Sequence, residues 1–205
     1  MAAPDHPLTR KLKQVCAKAN AEFDRALKVH GDRIQCGPGC SSCCSQIFQI
    51  TEVEAARISA HVKSLPAARR EELQAKARAN LLERAKLFPA VEKWGDTVER
   101  GRGVPCAALD KNGACGMYEV RPVICRKFGV PIYNPDQPER VMACELNFAD
   151  GDDFEDPGLI ENQTNLYQAQ QDLQAEYNQA GGRRDDLPIS IARAIAEDFT
   201  GYLPG

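Results

Sequence analysis

Four cysteines fall within nine residues, at Cys36, Cys40, Cys43 and Cys44, and four more follow at Cys106, Cys115, Cys125 and Cys144. A lone cysteine behaves as a small core hydrophobe, but thiols crowded this closely oxidise unless metal or disulfide bonds occupy them. Whatever fold the chain adopts must therefore gather sulfur for a chemical purpose, and metal is the leading reading. Disulfides are rare in a reducing cell interior, and a total of nine cysteines leaves one thiol over in any paired framework.

The amino terminus contains no apolar run of the kind a secretory signal needs, and no later stretch is long enough to span a bilayer. The expectation is a cytoplasmic protein without membrane association. A formal net charge of -3 gives no basic excess for nucleic acid, and aromatic residues are too few to stack single strands.

Over residues 8–30 an amphipathic helix is predicted by Leu12, Val15, Cys16, Ala19, Phe23, Ala26 and Leu27 at three- and four-residue spacings. Cys16 lies on that apolar stripe and reads as a buried structural thiol. Gly31, Gly37, Pro38 and Gly39 then interrupt regular structure. Thr51 followed by Glu54 predicts a capping box that opens a helix reaching Lys63. After Pro66, a longer helix with a charged outer face is predicted by Leu73, Ala77, Leu81, Leu82, Ala85 and Phe88. Pro89 ends or kinks it before a short helix over 91–99.

Glycines and prolines punctuate 101–149, which reads as loops and brief elements held by something other than a large core. Asp150, Asp152, Asp153, Glu155 and Asp156 read as a solvated acidic linker. Leu159, Leu166, Ala169, Leu173 and Tyr177 mark a further helix, residues 180–184 a turn, and residues 189–199 a final helix. The fold class expected is mainly α, with helices around an irregular, loop-rich cysteine core that binds metal. The expected organisation is a single domain over 1–205: an N-terminal helix at 8–30, a cysteine core from 31–49 and 101–149, a helical insertion at 50–100, and C-terminal helices at 157–200. Loop-closure entropy grows slowly with length, so the two cysteine segments can share a site across the insertion.

Within the first cluster, Gly37, Pro38 and Gly39 suit a loop whose backbone can approach sulfur closely. If the segment after Cys40 is helical, Cys40, Cys43, Cys44, Ile47 and Phe48 share one face. Adjacent Cys43 and Cys44 point in different directions on a helix or a strand, which argues for ligands divided between two centres. Setting Cys16 aside leaves eight cysteines, enough for two four-cysteine sites or for one cluster beside a structural site. Arg121, Arg126 and Lys127 flank Cys125, where they either offset thiolate charge or form surface pairs with Glu119 or Glu145.

The run Cys36-Gly-Pro-Gly-Cys40-Ser-Ser-Cys43-Cys44, followed by Pro105-Cys106-Ala-Ala-Leu109 and by Cys115-Gly-Met-Tyr118-Glu-Val-Arg121-Pro122-Val-Ile-Cys125-Arg126-Lys-Phe128, resembles the YkgJ-type cysteine-cluster family. That family is described as a zinc- or iron-chelating domain, and the likeness covers about 35–128, extending to Cys144. It implies a bacterial cytosolic protein whose Cys36, Cys40, Cys43, Cys44, Cys106, Cys115 and Cys125 chelate metal. Members are often labelled iron-sulfur oxidoreductases, and a related motif in flagellin lysine methylases accompanies an iron-sulfur cluster. No glycine-rich loop for an adenosyl cofactor stands out here, so methylation is not carried over.

Structural zinc usually takes paired Cys-x-x-Cys knuckles, and only Cys40 and Cys43 have that spacing. Ligands drawn from several loops suit an iron-sulfur cluster, with 4Fe-4S favoured and zinc as the alternative. The candidate ligands are Cys36, Cys40, Cys43, Cys44, Cys106, Cys115, Cys125 and Cys144. His30 reads as a helix-end cation rather than a ligand, and His6 and His61 as exposed. No catalytic triad or paired carboxylates stand out, so no catalytic residue is assigned. Two functional classes are open: an electron carrier or oxidoreductase component that meets a redox partner protein, or a structural zinc module that binds a macromolecular partner.

Overall fold

The computed structural model describes residues 6–37, 39–87, 104–149 and 155–205. In chain order the helices are α1 (Pro7–His30), α2 (Glu52–Ser64), α3 (Ala67–Leu87), α4 (Val123–Lys127), α5 (Leu159–Gln179) and α6 (Ile191–Ala196). One antiparallel pair of two-residue strands, β1 (Ile132–Tyr133) and β2 (Val141–Met142), sets Ile132 opposite Met142. The fold is mainly α, and the stretch over 104–149 is built from turns and brief elements as its glycines and prolines foretold. Among the described residues no helix is long and apolar enough to cross a membrane. The short helix expected over 91–99, the break at Pro89 and the carboxylates of Asp150, Asp152 and Asp153 lie outside the described residues.

The chain divides into two compact units, one of Met1–Cys43 with Pro122–Glu176, the other of Cys44–Arg121 with Tyr177–Gly205. In the first unit, His6 caps α1 by accepting from the Leu8 N–H at 3.2 Å, and Pro7 opens the helix where its missing N–H costs nothing. Leu8, Leu12, Val15, Cys16, Ala19 and Ala26 of α1 are buried, so Cys16 is the core thiol its position on the stripe foretold. Leu27 is the exception on that stripe, 37 % exposed at the edge of the buried face. The α5 residues Leu159, Leu166 and Leu173 are buried together with Gln163, whose polarity hid it from an apolar pattern. Arg25 closes the end of α1: it donates to both oxygens of Asp156 at 2.7 Å and to both of Glu22, while His30 Nε2 lies 3.1 Å from Asp156. Asp156 is therefore a buried clamp rather than part of a solvated linker. Burial pushes its carboxyl up, but Arg25 and His30 outweigh that and hold it below the ordinary carboxylate value.

In the second unit, Thr51 and Glu54 form the expected capping box, with the Glu54 N–H donating to Thr51 Oγ1 and the Thr51 N–H to Glu54 Oε2. Helices α2, α3 and α6 pack around Ile58, Val62, Leu73, Ile195 and Phe199, each worth about 1.5–3 kcal/mol once removed from water. On α3 the apolar side is narrower than the spacing implies: Leu73 and Ala77 are buried, but Leu82 is 66 % exposed. The last helix is shorter than 189–199, ending at Ala196 where Glu197 turns extended. The chain just beyond it is held instead by Ser59, whose hydroxyl donates to the Ala194 carbonyl at 2.8 Å and accepts from the Phe199 N–H at 3.1 Å.

Asp185 anchors the same unit by accepting from Arg193, Tyr202 and the Leu187 N–H at 2.8 to 3.2 Å. Arg193 chiefly, helped by these N–H and O–H donors and against the effect of burial, holds the Asp185 carboxyl down at about 2. A depressed carboxylate stabilises the fold above its ordinary pKa and loses that contribution as pH falls through the folded value. Asp185→Asn is expected to cost on the order of 2 kcal/mol at neutral pH. Urea titrations followed by circular dichroism should show the gap from the parent protein closing between about pH 4 and about pH 2.

Candidate metal centre

In the first unit two distant segments are stitched side by side. The Gln35 N–H donates to Asn147 Oδ1 at 2.8 Å, and the Phe148 N–H donates to the Arg33 carbonyl at 2.9 Å. The turn that presents Asn147 is closed by its own N–H on the Cys144 carbonyl at 2.8 Å. Phe148 adopts φ 55°, a strained region for a bulky side chain, and its ring packs edge-on to His30 with the Arg33 guanidinium 4.8 Å above it. These contacts hold Cys36 and Cys144 in one neighbourhood, and Cys40 and Cys43 join them.

Burial pushes the Cys36 thiol up; a hydrogen bond from Asn147 opposes this, and the nearby Cys40, Cys144 and Cys43 push it further up. Cys144 is pushed up in the same way, first by burial and then by Cys43, Cys40 and Glu145, against the Leu146 N–H. Cys36 and Cys144 are thus both raised by Cys40 and Cys43, and a metal cation nearby would act in the opposite sense. Among the described residues no three His, Cys, Asp or Glu side chains already stand as a group able to hold a metal ion. The four sulfurs share a neighbourhood, and drawing them onto one ion calls for local movement of the thiols. Cys40, the exposed member, follows Gly39 at φ 90° in a turn closed by the Cys40 N–H on the Gly37 carbonyl.

Room for the Cys36 sulfur comes from Gly129. A Cβ at that position would overlap Cys36 Sγ and stand 3.3 Å from the Phe23 ring. The backbone just past α4, the helix that carries Cys125, is therefore moulded to this sulfur. Soft thiolate donors of this kind suit zinc, iron or an iron-sulfur cluster.

The second unit begins at Cys44, so the adjacent pair is divided between the two units. Cys43 and Cys44 lie in a 3-10 turn, Ser42–Ser45, rather than an α-helix. With three residues per turn their side chains diverge by about 120°. The Cys106 N–H donates to the Cys44 carbonyl at 2.7 Å. From Cys106 a tight hairpin runs on in which Leu109 bridges Cys115 and Asp110 accepts from the Asn112 and Ala114 N–H groups. Those two backbone donors, Ala114 first, hold the Asp110 carboxyl below its ordinary value. Cys106 and Cys115 rest on the apolar core, and α3 grips the loop before them: Asn80 donates to the Pro105 carbonyl at 2.6 Å and Arg84 to that of Val104 at 2.9 Å.

A family model for the CxxCxxCC domain, described as "Putative zinc- or iron-chelating domain", matches residues 35–145, more than half of the chain. The chain belongs to that family. Metal chelation is thus the family-level role of the stretch that holds all eight clustered cysteines. In this CxxCxxCC domain the first interval holds three residues, Gly37, Pro38 and Gly39. No curated protein and no solved structure matches the chain.

Of the candidate ligands, the first unit gathers Cys36, Cys40, Cys43 and Cys144 and also contains Cys125 on α4, while Cys44, Cys106 and Cys115 belong to the second. His30 Nε2 lies 3.1 Å from Asp156 and its ring packs edge-on to Phe148. Arg126 is buried and donates to Asn20 at 3.1 Å, and Arg121 stacks 3.9 Å above Tyr118. Asn147 and Gly129 escaped a reading centred on cysteine. The available signals were a lone Asn three residues past Cys144 and a Gly just past α4. Gly129→Ala is expected to turn the Cys36 sulfur aside and remove most bound metal, with a stability loss of about 1–2 kcal/mol. Metal analysis and circular dichroism of the purified variant check this.

Proposed function

We propose that the protein carries an iron-sulfur cluster on the first unit, held by Cys36, Cys40, Cys43 and Cys144, with Cys125 as a further candidate ligand. The observation behind this reading is the crossing that sets the Cys36 and Cys144 segments side by side, with Asn147 donating to the Cys36 sulfur at 3.4 Å. Cys36, Cys40 and Cys43 come from one short segment and Cys144 from a distant turn, with a single Cys-x-x-Cys spacing rather than paired knuckles, which favours a cluster over a mononuclear ion. Exposed Cys40 provides an edge through which electrons pass to a redox partner protein, so the chain acts as an electron carrier or oxidoreductase component.

In the second unit, Cys44, Cys106 and Cys115 are proposed to hold a structural ion, for which zinc is the candidate. A tight hairpin seated on an apolar core favours that use. If zinc occupies the first unit too, the protein is a structural module that binds a macromolecular partner instead.

Anaerobic purification followed by iron, zinc and sulfide analysis separates these readings. The expected result is iron and sulfide in equal amounts, with a visible charge-transfer band that bleaches reversibly on reduction. Cys36→Ala and Cys144→Ala should each abolish the band, Cys106→Ala should lower zinc while leaving the band, and Cys16→Ala should change neither. Zinc without sulfide or band would overturn the redox reading. Absence of stoichiometric zinc and iron would overturn metal binding altogether.

A further inference from the structure

Asn147 is a buried side chain, and its amide orientation is fixed by its surroundings. Its Oδ1 accepts from the Gln35 N–H, so Nδ2 must face the other way, toward two acceptors: the Gly129 carbonyl and Cys36 Sγ at 3.4 Å. Both Nδ2 hydrogens are thereby used, one on backbone and one on sulfur. A carbonyl can only accept, so a flipped amide would set oxygen against oxygen at Gly129 and NH2 against the Gln35 N–H. Buried amides of this kind give up several kcal/mol of hydration unless each polar atom is paired, which makes the fixed orientation costly to abandon.

Resting on the metal reading above, we infer that Asn147 is a positioning residue for the centre. It ties the Cys36 segment, the Cys144 turn and the loop after α4 to one amide, and aims one N–H at the Cys36 sulfur. An N–H bond to sulfur strengthens as negative charge accumulates there, so it favours thiolate over thiol and the reduced cluster over the oxidised one. Partners in the shell around a metal's ligands commonly change affinity by roughly 10- to 100-fold when removed.

Asn147→Asp keeps the acceptor for Gln35 and the shape of the side chain but replaces the sulfur-facing NH2 with oxygen. In the full-length protein this variant is expected to lose metal roughly 10- to 100-fold more readily in chelator competition. If a cluster is present, its reduction potential should become more negative, a shift that a merely structural role would not produce. Asn147→Ser, smaller and uncharged, guards against a folding failure of the Asp variant and should weaken metal binding in the same direction.

Independent of any metal, the side-chain amide resonances of Asn147 in the metal-free protein should move on Cys36→Ala and stay in place on Cys16→Ala. If they do not respond to Cys36→Ala, the inference is overturned whatever the metal content. If they respond but the parent protein binds neither iron nor zinc, the sulfur bond stands and the metal reading fails. Unchanged chelator competition and potential in folded Asn147 variants would also overturn the positioning role.

Discussion

The gathering of cysteines in the first unit depends on a short crossing of two backbone segments, Arg33 to Cys36 and Cys144 to Phe148. Cys36 and Cys144 lie far apart in the chain, and the entropy of closing so long a loop must be offset by contacts at the crossing itself. Those contacts are few but well made. A backbone pair between Phe148 and Arg33, an amide bridge from Asn147 to Gln35, and a ring wedged between His30 and Arg33 account for the registration. The left-handed φ of Phe148 costs on the order of 1 kcal/mol or more and is held there by the packing on its ring. Just downstream, the fork of Arg25 on Asp156 pins the chain to the end of α1. A bidentate pair with a side chain as buried as Asp156 fixes geometry in a way that an exposed ion pair would not.

The same logic explains why the cysteine-rich run behaves as two halves. A 3-10 turn at Ser42–Ser45 sends the side chains of neighbouring residues in different directions, and the unit boundary falls between Cys43 and Cys44. Each half meets its own member of the later cysteine segment: Cys36, Cys40 and Cys43 share the surroundings of Cys144, and Cys44 is joined through backbone to Cys106. A run that looks like one motif is thus a hinge in the allocation of sulfur.

Much of this was legible in the amino acids. Helix α1 follows from its stripe, α2 from Thr51 and Glu54, and the irregularity of 104–149 from its glycines and prolines. Divergence of Cys43 and Cys44 follows from geometry common to any regular backbone. Errors arose where a side chain's environment is made by residues remote in sequence. Asp156 reads as solvated beside other acids, yet Arg25 buries it; Leu82 continues an apolar pattern, yet it stands largely exposed on α3. Asn147 carries no local signature at all, because its side chain pairs with donors and acceptors from two other segments, at Gln35 and Cys36 and at Gly129.

Electrostatics then sets what the gathered thiols can do. Burial and mutual repulsion raise Cys36 and Cys144, so without a cation both favour the protonated state. A metal ion must displace those protons, and its binding energy has to cover that displacement as well as the small movements that close the ligands around it. Asn147 works against the trend by giving Cys36 a donor that thiolate uses better than thiol. Cys36 thus keeps a donor aimed at its sulfur and is held against Gly129, where a side chain would have displaced it. Cys40 lies at the other extreme, exposed on the turn that Gly39 makes. The proposed centre would thus join a sulfur fixed by a donor and a close-packed backbone to one at the surface.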